Sequence, residues 1–297
     1  MSAPRKVSRI ITAYKTQGRD GIPLHRAFPS HTLLDLDPFL LLDEMGPMDT
    51  KPGESKGVPD HPHRGFETVT YMLAGTFEHR DSFGNVEKLF PGDVQWITAG
   101  SGLIHSETTE TEFLKKGGML HAIQLWVNLP KSEKMVSPCY QVVKARDLPV
   151  GKTDDGKSKV HVIAGEAMAA SAIIKTRTPI FYFHATILPG GSWVQPVPRD
   201  FNVFAYILKG KGMFNRTANG KIQLGEAHQM LIFDNVGETI EIQLLEGAEG
   251  PLELLLIGGI PLREPIVRYG PFVMNTEEEI RQAFVDYHTG RMGTILK

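Results

Sequence analysis

Hydrophobic positions along this chain fall in short runs, each ended by glycine, proline or a small polar turn. Phe66 to Leu73 is rich in β-branched and aromatic residues, which favour a pleated, half-buried surface, and it stops at Gly75. Asp81-Ser82-Phe83-Gly84-Asn85 and Phe90-Pro91-Gly92-Asp93 carry turn chemistry. Between and after them stand Val94 to Thr98, Leu103 to Glu107 and Met119 to Leu129, the last stopped by Pro130. Near the start there is a short apolar run, Val7 to Ile11. Leu33 to Asp43 then reads as two short strands broken at Pro38, and residues 46 to 60 read as a loop. Many short strands with regular turns predict an antiparallel sandwich or barrel.

The second half repeats the first. Phe201 to Gly210 matches Phe66 to Gly75 at Phe, Tyr, Leu and Gly, and Arg199 falls on Arg64. Each copy then has a turn, Gly84-Asn85 and Asn219-Gly220, and a Gly-acid pair, Gly92-Asp93 and Gly225-Glu226. Order and spacing together indicate an internal duplication. Residues 130 to 158, with Pro130, Pro138, Pro149 and a polar run from Lys152 to Lys159, read as the connection. The C-terminus changes period. Thr276 and Glu279 form a capping box, Ile280, Ala283, Phe284 and Tyr287 lie at helical spacing, and Gly290 suits the end of the helix. Such an apolar stripe docks on a sheet.

At 297 residues the chain can form two domains of ordinary size, expected at residues 1–136 and 137–297. Acidic residues (34) slightly outnumber basic ones (32), so nothing favours direct nucleic-acid binding. Cys139 is the only cysteine, which excludes an intrachain disulfide and suits a reducing compartment. Met1 to Lys15 lacks the apolar core of a signal peptide, and no apolar run approaches a membrane span. The expected location is cytoplasmic, or also nuclear in a eukaryote.

Candidate chemistry sits in two pairs, His61-Pro62-His63 and His105-Ser106-Glu107. Side chains two apart on an extended chain share a face. Imidazole and carboxylate are accepted by Fe(II), Mn(II), Ni(II) and Zn(II). Three nitrogens and one carboxylate would leave two positions open on an octahedral ion. Glu67 competes with Glu107 for the carboxylate role, since on an unbroken strand it faces the same side as His61 and His63. The repeat has no such set. Its register puts Pro196 on His61 and Pro198 on His63, His228 opposite Gln95, Glu241 without an imidazole beside it and His184 alone on an earlier strand. One metal per chain is therefore expected, none of it in the second half.

Longer stretches add to this reading. They are Leu36-Asp37-Pro38-Phe39 with Leu41-Leu42-Asp43, Asp60 to Tyr71, Gly92 to Glu107, Gln124 to Pro130, and Tyr269 to Thr276. In them the chain resembles the pirin family of bicupins. The resemblance implies a mainly β fold of two tandem cupin-type antiparallel β-barrels with a C-terminal helix. It implies one Fe(II), or another divalent transition metal, on His61, His63, His105 and Glu107, with Glu107 also the catalytic base and Glu67 an orienting neighbour. Two activities are implied. One is oxidative ring opening of flavonols such as quercetin with dioxygen, as a quercetin 2,3-dioxygenase. The other is non-enzymatic, an iron-dependent, redox-sensing regulator that binds a protein partner such as a transcription factor complex. Trp96, Phe66 and Tyr71 are candidate pocket walls. His121 and Gln124 face opposite sides of one strand, so only one can point inward. Arg64 is a candidate for an exposed recognition face, or for a surface salt bridge.

Overall fold

The computed structural model describes residues 3–18, 21–54, 56–214 and 222–296. The expected turn at Asn219-Gly220 lies outside the described residues. The chain forms two compact units. The first is Tyr14–Asp147 with Leu262–Lys297, and the second is Met1–Ala13 with Leu148–Pro261. This differs from a division at 136/137, because each unit takes a terminal segment from the far end of the chain. Val7–Thr12 pairs with Gln229–Phe233. The fully buried Arg5 guanidinium bonds the carbonyls of Pro198, Phe201 and Gly237.

Each unit has one seven-stranded and one four-stranded antiparallel sheet. In the first unit the large sheet runs in the order Cys139–Val143, Val94–Thr98, Phe66–Ala74, Gly118–Asn128, Phe39–Thr50, Pro23–Phe28, Tyr14–Gln17. The small one runs Gly57–His63, Leu103–Thr109, Phe77–Asp81, Val86–Leu89. The second unit repeats this order, with Asn202–Lys209 between Gln229–Phe233 and Leu252–Gly259 in place of Phe66–Ala74. Its small sheet runs Ser192–Pro196, Thr239–Gln243, Lys211–Phe214, Gln223–Glu226. The duplication is therefore visible as strand order. Among the described residues the two sheets of a unit do not join into a closed ring of hydrogen bonds, so each cupin is a two-sheet sandwich.

Two local expectations change. Leu33 to Pro38 is not a strand, since Leu36 and Phe39 exchange backbone hydrogen bonds at 2.9 and 2.8 Å across a tight turn. Phe39–Thr50 instead runs for 12 residues, into the stretch expected to be a loop, and Gly57–His63 takes up the end of that stretch. Gly118–Asn128, the partner of Phe39–Thr50, pairs as far as Gly118 opposite Thr50, and a register shift between Leu120 and Ala122 accommodates Gly46 and Pro47. The long strand expected from Met119 to Leu129 is Gly118–Asn128.

Gly65 separates the two sheets. It has φ 88°, and a Cβ there would stand 2.0 Å from the Val273 carbonyl oxygen. The chain leaves the small sheet at His63 and enters the large one at Phe66. Buried Lys134 secures this corner, donating to Gly65 O at 2.7 Å, Asn128 Oδ1 at 2.7 Å and Val273 O at 3.0 Å.

The C-terminal helix Glu277–His288 has the expected capping box, Thr276 with Glu279, and Gly290 follows it at φ 76°. Its stripe docks within the first unit. Ile280 and Ala283 are buried with Phe272, Met274 and Met292, and Phe284 and Tyr287 pack against them. Arg64 is buried, not a surface side chain. Its Nη2 lies 2.8 Å from Asp286 Oδ2 on this helix, and its Nε donates to Ser101 O at 2.7 Å. No helix among the described residues is long and apolar enough to cross a membrane.

Two measurements check this packing. Phe284 is only half-buried, with its ring edge-on to Phe272 at 5.0 Å. Phe284→Ala lowers unfolding free energy by about 2 kcal/mol in denaturant titration, below the cost at a fully buried phenylalanine. Burial pushes the Lys134 ammonium down to about 8 from 10.5. Between those values the unfolded chain holds the extra proton, so stability rises with pH across the window. Lys134→Met removes up to ~3 kcal/mol of that rise, measured as unfolding free energy against pH.

Candidate metal centre

Three histidines meet inside the first unit. His61 and His63 end the strand Gly57–His63, and its partner strand puts His105 opposite His61. Ring centroids are 4.7 Å apart for His61 and His63, 4.3 Å for His61 and His105, and 4.9 Å for His63 and His105. Each ring offers one nitrogen within 4.8 Å of the others'. Backbone carbonyls occupy the opposite nitrogens of two rings. His61 Nδ1 lies 2.8 Å from Pro59 O, and His63 Nδ1 3.4 Å from Pro271 O. Such a bond fixes the tautomer and leaves Nε2 as a lone-pair donor.

His105 has no exposure, and among the described residues neither of its ring nitrogens has a hydrogen-bond partner. Burial holds its pKa well below the usual histidine value, and His61, His63 and His79 push it the same way. A neutral imidazole with two orphaned nitrogens is costly unless something else bonds it. A divalent ion shared with His61 and His63 would satisfy that need, so this donor set fits such an ion.

Glu107 follows His105 by two residues on the same strand and is buried. It is outside the group of three whose donor atoms lie within 4.8 Å. Its two oxygens accept from Thr70 Oγ1 at 2.6 Å and Gln124 Nε2 at 3.1 Å. Glu67 is not beside it. The break at Gly65 moves Glu67 to the large sheet, and alternation puts it on the other face of its strand from Thr70, where Thr98 Oγ1 donates to it at 2.7 Å. Glu67 thus does not orient the imidazoles. The same alternation turns Trp96 and Tyr71 away, while Phe66 packs on His63 at 5.1 Å and on Trp126 at 4.3 Å. Gln124 is the inward member of its strand, and His121 Nε2 lies 2.8 Å from Glu44 Oε1 instead.

Two neighbours escaped the sequence reading. Trp126 stands 5.1 Å from His63, and His79, fully buried opposite Glu107, has its ring 5.5 Å from His105. His79 Nε2 lies 3.3 Å from Asp81 Oδ2. The spacing His79-Arg80-Asp81 was the available signal, an imidazole and a carboxylate on one face. A cleft of about 390 Å³ opens onto His61 and His63, walled by Leu24, Leu40, Met45 and Trp126.

The corresponding interior of the second unit is largely apolar, and its buried Gln195 donates to the Glu166 carbonyl at 3.3 Å. Trp193, Val197, Ile240 and Ile242 fill it, and Pro196 and Pro198 point outward. His228 does not fall opposite Gln95. Its N–H bonds Ile207 O at 2.8 Å as Gly92 N–H bonds Met72 O at 2.7 Å, and both residues have positive φ. Gly225, taken as the match of Gly92, instead lies within the strand Gln223–Glu226. His184 is not alone, since its ring stacks on His161 at 6.0 Å.

Two sandwiches of matching strand order, one with a histidine cluster, define a two-domain cupin. A family model described as Pirin matches residues 21–127, and one described as Pirin C-terminal cupin domain matches residues 182–293. A pirin-like protein of Solanum lycopersicum is 41% identical over 292 residues, which cover 98% of this chain and 94% of that protein. The chain belongs to the pirin family. A crystal structure of quercetin 2,3-dioxygenase from Acinetobacter baumannii is 36% identical, with a TM-score of 0.90 over 99% of this chain and 100% of that one. A bacterial pirin, YhhW of Escherichia coli, solved in complex with nickel(II), is 21% identical, with a TM-score of 0.63 over 88% of this chain and 100% of that one.

Metal analysis of substituted proteins separates these residues. His63→Ala is expected to lose most of the ion at concentrations that saturate the parent, whereas Glu67→Gln retains it. Thr70→Val, which unties one oxygen of Glu107, lowers affinity or activity about 10- to 100-fold. Metal lost from the Glu67 variant and kept in the His63 variant would reverse the assignment.

Proposed function

We propose that this chain holds one Fe(II), or another divalent transition ion, on His61, His63, His105 and Glu107, and uses it with dioxygen to open the ring of flavonols such as quercetin. The orphaned imidazole of His105 between two pre-oriented histidines is the observation that carries the metal reading. Substrate class rests on the similarity to a quercetin 2,3-dioxygenase over the whole chain. The nickel(II) complex of a more distant pirin is consistent with a divalent ion in this fold.

When bound, the ion would supply Lewis acidity and redox capacity beside the cleft. Side chains do the rest. His61, His63 and His105 each bring one ring nitrogen within 4.8 Å of the others', and burial disfavours protonation of His105. Thr70 and Gln124 fix the Glu107 carboxylate, which takes the proton of the flavonol 3-hydroxyl. Phe66 and Trp126 form an aromatic wall behind His63, against which a flat ring can lie. The cleft volume of about 390 Å³ is near the small end of ligand pockets, which suits an unglycosylated flavonol.

The second reading is a regulator whose metal state a protein partner senses. It asks for an exposed face near the metal, and Arg64, one candidate for that face, is buried against Asp286. An aerobic assay decides between the two. Iron-loaded protein is expected to remove the flavonol absorbance well above the rate of free iron, and Glu107→Gln to abolish that turnover. Parent protein carrying one iron per chain but no faster than free iron would sink the enzyme reading and leave the regulator.

A further inference from the structure

On the inner face of the large sheet in the first unit, five neighbouring strands each contribute one polar side chain to a single row. Arg26 stands opposite Asp43, Asp43 opposite Gln124, Gln124 opposite Thr70, and Thr70 opposite Gln95. Cross-strand partners present their side chains on one face, and neighbouring strands are about 4.8 Å apart. At the middle of the row Gln124 and Thr70 grip Glu107. At its outer end Arg26 Nε and Nη2 each donate to Asp43 at 2.7 Å. Asp43 therefore lies one strand from Gln124 and two from Thr70, roughly 5 to 10 Å along the row from the groups that hold Glu107. Arg26, Asp43, Gln124, His61 and His63 all line the same cleft.

Asp43 is only 4% exposed. Burial raises its pKa, against the pull of Arg26. An ionised carboxylate has about four lone-pair directions, and Arg26 takes two of them. Among the described residues no other side chain or backbone N–H donates to it. A buried acceptor with spare capacity on a cleft wall calls for donors from whatever fills the cleft. Arg26 already balances the charge, so a cationic group would bring an excess and an anionic one would be repelled. Neutral O–H groups remain.

We propose that Asp43, oriented by Arg26, is the specificity-determining residue of the cleft. It accepts hydroxyl groups on the part of the substrate remote from the hydroxyl that meets Glu107. The chain thereby selects aromatic substrates hydroxylated at both ends over the same ring system with the 3-hydroxyl alone. This rests on the proposed flavonol reading and adds the substrate feature that is read.

Equilibrium binding under anaerobic conditions tests it without turnover. Metal-loaded protein is titrated with quercetin and with the flavonol bearing only the 3-hydroxyl, following quenching of tryptophan fluorescence. The parent is expected to bind quercetin at least about tenfold more tightly. Asp43→Asn is expected to erase most of that ratio with the metal retained. So is the double change Arg26→Met with Asp43→Leu, which replaces the ion pair by apolar groups and so avoids an unpaired buried charge. If one variant does not fold, the other decides. Equal affinities in the parent, or a preference that survives in a folded variant, would overturn the inference. A preference present in the parent and erased in the variants, with no turnover in air, would sustain it and remove only the dioxygenase reading.

Discussion

Three imidazoles cannot share a dry interior as cations. Burial makes protonation of His105 hard, and His61 and His63, with ring centroids under 5 Å from it, make it harder still. Neutral rings still need partners for their nitrogens. Carbonyls of Pro59 and Pro271 supply one each to His61 and His63, and among the described residues nothing does so for His105. Much of the first unit follows from this constraint. The large sheet brings Thr70, Gln124 and Trp126 to the cluster, and the corner at Gly65 lets the His-x-His strand belong to a different sheet from the strand that follows it. The C-terminal helix then locks Arg64, next to His63, through Asp286.

The second unit shows the same architecture without that constraint. Its strand order matches, yet its interior is closed by Trp193, Ile240 and Ile242. An apolar interior is satisfied by packing alone and makes no demand on the surrounding side chains. The two units thus separate what the fold requires from what the histidines require.

Much of the centre could be read from the sequence, because its information is local. His-x-His and His-x-Glu share faces through the two-residue period of a strand, and the helix announced itself by Thr276, Glu279 and a stripe at helical spacing. What escaped depends on pairing between distant segments. Glu67 looked inward only while the strand was taken as unbroken, and a positive φ at Gly65 turned it away. His228 was placed by a Gly-acid match that slid against the true register, which the hydrogen bond to Ile207 reveals. A one-residue change of register reverses every face, so such errors are not small. The row from Arg26 to Gln95 has no sequence signature, since its members come from five strands and meet only in the assembled sheet.

The exchange of terminal segments has a consequence for how the chain is made. A ribosome releases His61, His63, His105 and Glu107 early, but the unit that contains them also needs Leu262 onward. The Val273 carbonyl that receives Lys134 and the Asp286 carboxylate that receives Arg64 emerge only after Leu148–Pro261 of the second unit. The Pro271 carbonyl that faces His63 is equally late. Between these events the whole second unit is synthesised, save for Val7–Thr12, which has been waiting since the start. Neither half can therefore be finished in passing. The nascent chain carries its imidazoles unclamped until Pro271 has been made, and the centre becomes complete only in a chain extended through Glu277–His288.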